Sequence, residues 1–234
     1  MPLLELSPSD QYLIASGDTP LLEVWEALPL GLFPPFPPVE LPGGLNGLLQ
    51  RGGFGQTFFF GAEVLGLTLK TPQGRTVQAG GQVVKNVQGY DLVRPFVGSF
   101  GALGEAVSVT LRLRPGRASV FLRRPLEPTP EAPSGWPPSY LRERTPPEVG
   151  VQPRFLWQHE STLFAFHFGH PKEVERFRQA FGGEVMDSPV DYSRLFPHGM
   201  GVGVGPLRDL RFSWADGGAK PPLPAVFQKL ASAL

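Results

Sequence analysis

The stretch that decides the reading is VVKNVQGYDLVRPFVGSFGALGEAVSVTLRLR, Val83 to Arg114. Its last ten residues, Glu105 to Arg114, alternate apolar and polar side chains, the period of a half-exposed strand, and place Val107, Val109, Leu111 and Leu113 inward. The preceding part, Val83 to Gly104, follows neither the strand nor the helix period. Lys85, Asn86, Tyr90 and Asp91 interrupt an apolar frame of valine, leucine and phenylalanine. Gly89, Gly98, Gly101 and Gly104 permit positive φ and close backbone approach, so exposed amides there could reach a phosphate or the edge of a flat ring. A buried loop whose polar groups satisfy one another fits the same spacing.

Upstream, YLIA reads as a strand, Ser16 to Asp18 as a turn, and Thr19 and Pro20 as N-cap and first residue of a helix with Leu21, Val24, Trp25 and Leu28 on one face. The prolines of PLGLFPPFPPVELPGG forbid helix or central strand, so this is an extended loop covering apolar surface through Leu32, Phe33 and Phe36. A glycine-rich passage runs from Gly43 to Gly55. Val64–Lys70 and Arg75–Gln78 then flank a Pro-Gln-Gly turn as a β-hairpin.

Downstream, proline and charge dominate residues 125 to 147, a linker at the start of a second part. VQPRFLW and TLFAFHFG read as strands. Pro171 to Phe181 reads as a helix with Val174, Phe177 and Phe181 inward and Gly182 as its stop. A strand in GVGVGPLRDLRFSW and a helix in AVFQKLASAL complete an α+β chain of two parts, residues 1–115 and 116–234.

Composition narrows the function. Basic and acidic residues balance at 21 each, so no broad field draws nucleic acid or an anionic bilayer. The absence of cysteine removes disulfides, cysteine nucleophiles and any iron-sulfur or thiolate metal site carried by this chain. No apolar run approaches the roughly 20 residues of a membrane span, and the N-terminus lacks a signal-peptide pattern. The expected address is the cytoplasm, with any membrane association made through partners. Proline-stiffened loops and an excess of Arg over Lys fit a thermophilic source.

Other motifs carry little. His167 alternates with Leu163 and Ala165 while Phe164, Phe166 and Phe168 form the other, buried face. His159, His167, His170 and His198 therefore read as surface or satisfied structural histidines, and no metal site is assigned. Gly98, Ser99 and Gly101 are one residue too tight for a nucleophile elbow. The alternating glycines of GMGVGVGP lack the strand, turn and helix order of a dinucleotide site, which leaves a stand-alone nucleotide-binding module as a minor reading.

The wording KNVQGYDLVRPFVGSFGALGEAVSVTLRLRP resembles the signature of FAD-linked oxidases of the vanillyl-alcohol-oxidase and PCMH type, and among them the E-type subunits of bacterial glycolate oxidases. LPGGLNG, AEVLGLTLKTPQGRTVQAGG and ASGDTPLLEVWEAL extend the likeness over about the first 115 residues. The resemblance implies a partial PCMH-type domain followed by a small cap-like domain. It implies FAD lined by Gly43 and Gly44; by Val64, Leu65 and Gly66; and by Gly98, Ser99, Gly101, Leu103 and Gly104. Lys85, Asn86, Gly89, Tyr90 and Asp91 would shape the pocket.

It further implies oxidation of 2-hydroxy acids such as glycolate to 2-oxo acids. The implied partners are a complete paralogous flavin subunit and an iron-sulfur subunit. No catalytic residue is assigned. Phe100 stands where many relatives have glutamate, Ala102 where threonine is common, and Gly61–Glu63 where an Arg-Asp pair is frequent, each change weakening polar contact to the cofactor. Met1 falls just after the subdomain that would cradle the FAD pyrophosphate. The expectation is therefore a reduced flavin subunit, with a cofactor-free docking subunit of the same complex as the alternative.

Overall fold

The computed structural model describes residues 3–81, 92–125, 151–195, 207–209 and 224–234. Its fold is α+β. The first antiparallel sheet is built from β1 (Leu3–Ser7), β2 (Tyr12–Ser16), β5 (Val64–Lys70), β6 (Thr76–Gly80) and β7 (Glu105–Arg112), in the order β1-β2-β7-β5-β6. Between β2 and β5 come α1 (Leu21–Ala27), the two-residue strands β3 (Leu32–Phe33) and β4 (Val39–Glu40), and α2 (Gly44–Gln50). α3 (Val93–Phe96) precedes β7 and β8 (Arg114–Pro115) follows it.

The second sheet takes β9 (Ala118–Pro125), β10 (Phe155–His159), β11 (Thr162–Gly169), β12 (Glu184–Val185) and β14 (Leu207–Asp209), in the order β12-β9-β11-β10-β14. α4 (Pro171–Phe181) covers one of its faces, and β13 (Val190–Asp191) pairs in parallel with β4. α5 (Ala225–Ala233) ends the chain and returns to the β5–β6 turn, where Gln73 donates to the Ala231 carbonyl and Arg75 to that of Leu234.

One apolar cluster runs through both sheets. It joins Leu13, Leu69, Val109 and Leu111 of the first to Phe121, Phe155, Trp157 and Phe166 of the second. Trp25 meets Phe166 edge-on at 5.3 Å, and Phe33 stacks on Phe168 at 4.3 Å. The Pro-rich loop is thus fastened through Phe33 and Phe36, both buried, as its composition predicts.

Three local expectations are corrected. Thr19 does not cap α1: the Glu40 carboxylate accepts from the amides of Leu21 and Leu22 at 3.1 and 3.0 Å, a capping bond made from another segment. The glycine-rich passage, to which the sequence assigned no element, opens with the helix α2. Val107 is half exposed rather than inward, because Leu69 pairs with Ala106 and Thr68 with Ser108, leaving Val107 as the extra residue of a β-bulge. His167 lies on a face that α4 buries, so both faces of β11 are internal. Of the strand expected in GVGVGPLRDLRFSW, Leu207–Asp209 are described; the linker at 126–150 and the run 199–206 lie outside the described residues.

Candidate functional site

α2 organises the region that the sequence singles out. Seven residues form a marginal helix alone, so its stability comes from contacts with the rest of the fold. Leu45, Leu48 and Leu49 are buried. Its first amides are taken internally: Leu45 donates to the Thr19 carbonyl at 3.0 Å and Asn46 to that of Gly17 at 2.6 Å. The helix start is therefore closed by the turn after β2. Gly43 and Gly44, at φ 82° and 55°, make the entry turn. A Cβ on Gly44 would stand 2.4 Å from the Thr19 carbonyl oxygen, so this glycine is required by the chain's own backbone.

At the other end of α2 the loop Gly98–Gly104 docks along it. The Gly98 amide donates to the Leu49 carbonyl at 2.9 Å and the Phe100 amide to the Gln50 carbonyl at 2.8 Å. The Gln50 side-chain amide donates to the Gly104 carbonyl at 3.1 Å. Gly104, at φ 104°, packs its Cα against Lys70, where a Cβ would lie 2.0 Å from the carbonyl oxygen. Leu103 is buried beneath the loop.

Gly98 and Gly101 differ from these glycines. Both have positive φ, yet among the described residues an added Cβ would meet nothing closer than 4.0 Å at Gly98 and the Gln50 side chain at 3.6 Å at Gly101. Close approach by the described backbone is therefore not what calls for glycine at these two positions. Between them Ser99 is fully buried, and its hydroxyl has no hydrogen-bond partner among the described residues. Gly52 faces Gly98, and Gln56, also fully buried, donates to the Gly52 carbonyl at 3.0 Å while its Oε1 finds no partner among the described residues. Buried polar groups left unsatisfied cost about 1–3 kcal/mol each, so two of them near one glycine contact suit a polar ligand edge.

Val64, Leu65 and Gly66 stand elsewhere. Leu65 is the extra residue of a second bulge, its carbonyl accepting from Gly81, and a Cβ on Gly66 would meet Gly81 at 2.8 Å. Gly66 is four residues from Lys70, about 13 Å at strand rise. Lys85, Asn86, Gly89, Tyr90 and Asp91 lie outside the described residues. The structure thus brings Gly98, Ser99, Gly101, Leu103 and Gly104 together on α2, with Gly43 and Gly44 at the opposite end of that helix. Gln56, Asn46 and Gln50 were not singled out in the sequence, because glycines on both sides of them hide the helix.

Glu63 is buried and held bidentately by Arg114 at 2.9 and 2.5 Å, which commits it to structure. Against the second sheet Tyr192 is buried and accepts from the Trp157 indole at 3.1 Å; burial pushes its phenol up to about 12. His159 packs edge-on against Tyr192 at 5.1 Å.

The fold is similar to that of a solved structure, an alkyldihydroxyacetonephosphate synthase. The likeness spans 76% of this chain and 39% of that one, with TM-score 0.52 and 14% sequence identity, and it bears on fold alone.

Two curated relatives narrow the resemblance. Glycolate oxidase subunit GlcE of Escherichia coli (strain K12) is 47% identical over 62 residues, 26% of this chain and 18% of that protein. Glycolate oxidase subunit GlcD of Bacillus subtilis (strain 168) is 40% identical over 76 residues, 32% of this chain and 15% of that protein. The chain therefore resembles, in part, a glycolate oxidase subunit of the FAD-linked oxidase type, as its sequence leads one to expect. The matches span less than a fifth of either relative. A family of unknown function, DUF5639, matches residues 140–217. Among the described residues no helix is long and apolar enough to cross a membrane.

Proposed function

We propose that this chain is the E-type, FAD-binding subunit of a glycolate oxidase complex, acting in the cytoplasm on 2-hydroxy acids such as glycolate. In this reading residues 1–115 carry the flavin loop and residues 116–234 form the cap-like part. The observation that carries it is the Gly98–Gly104 loop. Among the described residues it has two glycines that no backbone crowds and a buried Ser99 hydroxyl with no hydrogen-bond partner, in a chain 47% identical to GlcE over 62 residues.

Gly98, Ser99 and Gly101 would hold an edge of the flavin, Gln56 would accept from it, and Lys85, Asn86, Gly89, Tyr90 and Asp91 would complete the pocket. When bound, FAD supplies the two-electron chemistry that no side chain can. The substrate acid would give its electrons to flavin, which would pass them to a partner iron-sulfur subunit. Purification with visible flavin absorbance, together with a flavin-bearing partner subunit from the native source, is the expected result.

A second reading has its own observation. Gly43, Gly44, Gly66 and Gly104 approach this chain's own backbone, and the first amides of α2 are closed by Gly17 and Thr19. These favour a cofactor-free docking subunit of the same complex. A chain that is colourless when purified apart from its partner, yet co-purifies with the flavin-bearing partner from the native source, selects it; a chain that is yellow on its own excludes it.

A further inference from the structure

The loop from Gly98 to Gly104 has little structure of its own. Its internal bonds are single turns: Ser99 amide to Phe96 carbonyl at 3.1 Å, Ala102 to Ser99 at 3.0 Å, and Gly104 to Gly101 at 3.1 Å. It also contains Phe100 at φ 52°, a conformation that bulky residues rarely adopt. Such a conformation persists only where its surroundings over-determine it. The surroundings here are α2. The Gln50 carbonyl holds the Phe100 amide, and the Gln50 side chain holds the Gly104 carbonyl and lies 3.6 Å from the position of a Cβ on Gly101.

Asn46 sits one turn earlier on the same face, at the i, i+4 spacing. Its Oδ1 accepts from the Ala106 amide at 2.8 Å and from Gln50 Nε2 at 3.3 Å, so the two side chains orient each other. β7 is registered against β2 from Ser108 to Arg112, beyond the bulge at Val107, and its first residues pair only with β5. The bonds from α2 fall at that entry, on the Gly104 carbonyl and the Ala106 amide, and fix the path by which the loop runs into the strand.

We infer that Asn46 and Gln50 are positioning residues, which from successive turns of α2 set the shape that the Gly98–Gly104 loop offers a flavin. The inference rests on the reading that this loop meets FAD. Both side chains act through the backbone that they bond, at Gly104 and Ala106.

The test uses the full chain and two readouts: amide hydrogen exchange without FAD, and FAD affinity by fluorescence titration. Asn46→Ala removes the acceptor of the Ala106 amide, whose exchange should rise about 5- to 10-fold, the worth of one hydrogen bond. The amides of Val109 and Leu111 should be unchanged, and Asn46→Asp, which keeps the acceptor, should restore protection. Gln50→Met keeps volume and helix propensity while removing the side-chain amide, and carries the test should Asn46→Ala fail to fold. It should weaken FAD binding about 5- to 10-fold with the melting temperature of the FAD-free chain nearly unchanged. Variants that bind FAD as tightly as the wild type overturn the positioning role. A wild type that takes up no FAD overturns the flavin reading itself, whatever the exchange shows.

Discussion

The two sheets are packed by opposite means. Around the first, the decisive positions are glycines pressed against backbone: a Cβ on Gly17 would fall 1.8 Å from the Ala106 carbonyl oxygen, and one on Gly104 2.0 Å from that of Lys70. Around the second, Phe121, Phe155, Trp157, Phe164, Phe166 and Phe168 meet in stacked, tilted and edge-on pairs, with ring centroids between 5.5 and 6.3 Å. Backbone-to-backbone packing tolerates no added atom, whereas a field of rings can shift to absorb a change. The difference teaches where precision is spent: the first sheet carries the loop whose backbone must present a surface, and the second supplies bulk behind it.

The sharpest way to break this contrast is a single methyl. Gly104→Ala combines that clash with φ 104° and should cost more than about 4 kcal/mol, or prevent folding. Denaturant unfolding reads the loss, and a cost below about 1 kcal/mol would show the backbone contact to be compliant.

Trp157→Phe in the second sheet should cost about 2 kcal/mol. The smaller ring sacrifices some packing, and Tyr192 loses its indole donor. Near-UV circular dichroism should report the change with the fold retained.

Glu63→Gln tests a polar contact at the junction of β5 and β8. Arg114 is 43% exposed and water screens it, so the pair should be worth only about 1 kcal/mol, measurable as a reduced unfolding midpoint.

The smallest effect is on pH. His167 is 1% exposed, and neither ring nitrogen makes a hydrogen bond among the described residues. Burial holds its imidazole below the ordinary value near 6.5, the nearby Arg154 charge adding to this and Glu173, 3.4 Å away, opposing it. Below about pH 6.5 the unfolded chain binds a proton that the folded chain resists, so stability falls with pH until the folded-state value is passed. His167→Gln should flatten that slope, and an unchanged slope would assign it to other groups.

Much of the fold was legible where side-chain period decides it. The β5–β6 hairpin and α4, with Val174, Phe177 and Phe181 inward, stand as their patterns predict. α2 was hidden because GGLNGLLQRGG has the composition of a loop; only contact with Gly17, Thr19 and the 98–104 loop makes it a helix. Val107 escaped because alternation along a single strand cannot reveal a bulge set by its neighbour. Glu40 as the cap of α1 was out of reach for a like reason, being 18 and 19 residues from the amides it accepts. In the site, the glycines were visible, but their two kinds were not: among the described residues no backbone crowds Gly98 and Gly101, while Gly44, Gly66 and Gly104 serve the chain itself. That distinction is three-dimensional, and Ser99 and Gln56 acquire interest only through a buried oxygen on each that has no partner among the described residues.

The most direct test of the flavin reading is a titration of the purified full chain with FAD, followed by flavin fluorescence and repeated as a thermal melt. The account predicts quenching that saturates at one equivalent of FAD per chain, with a melting temperature that rises as FAD is added. Fluorescence equal to that of free FAD throughout, and an unmoved melt, would contradict it.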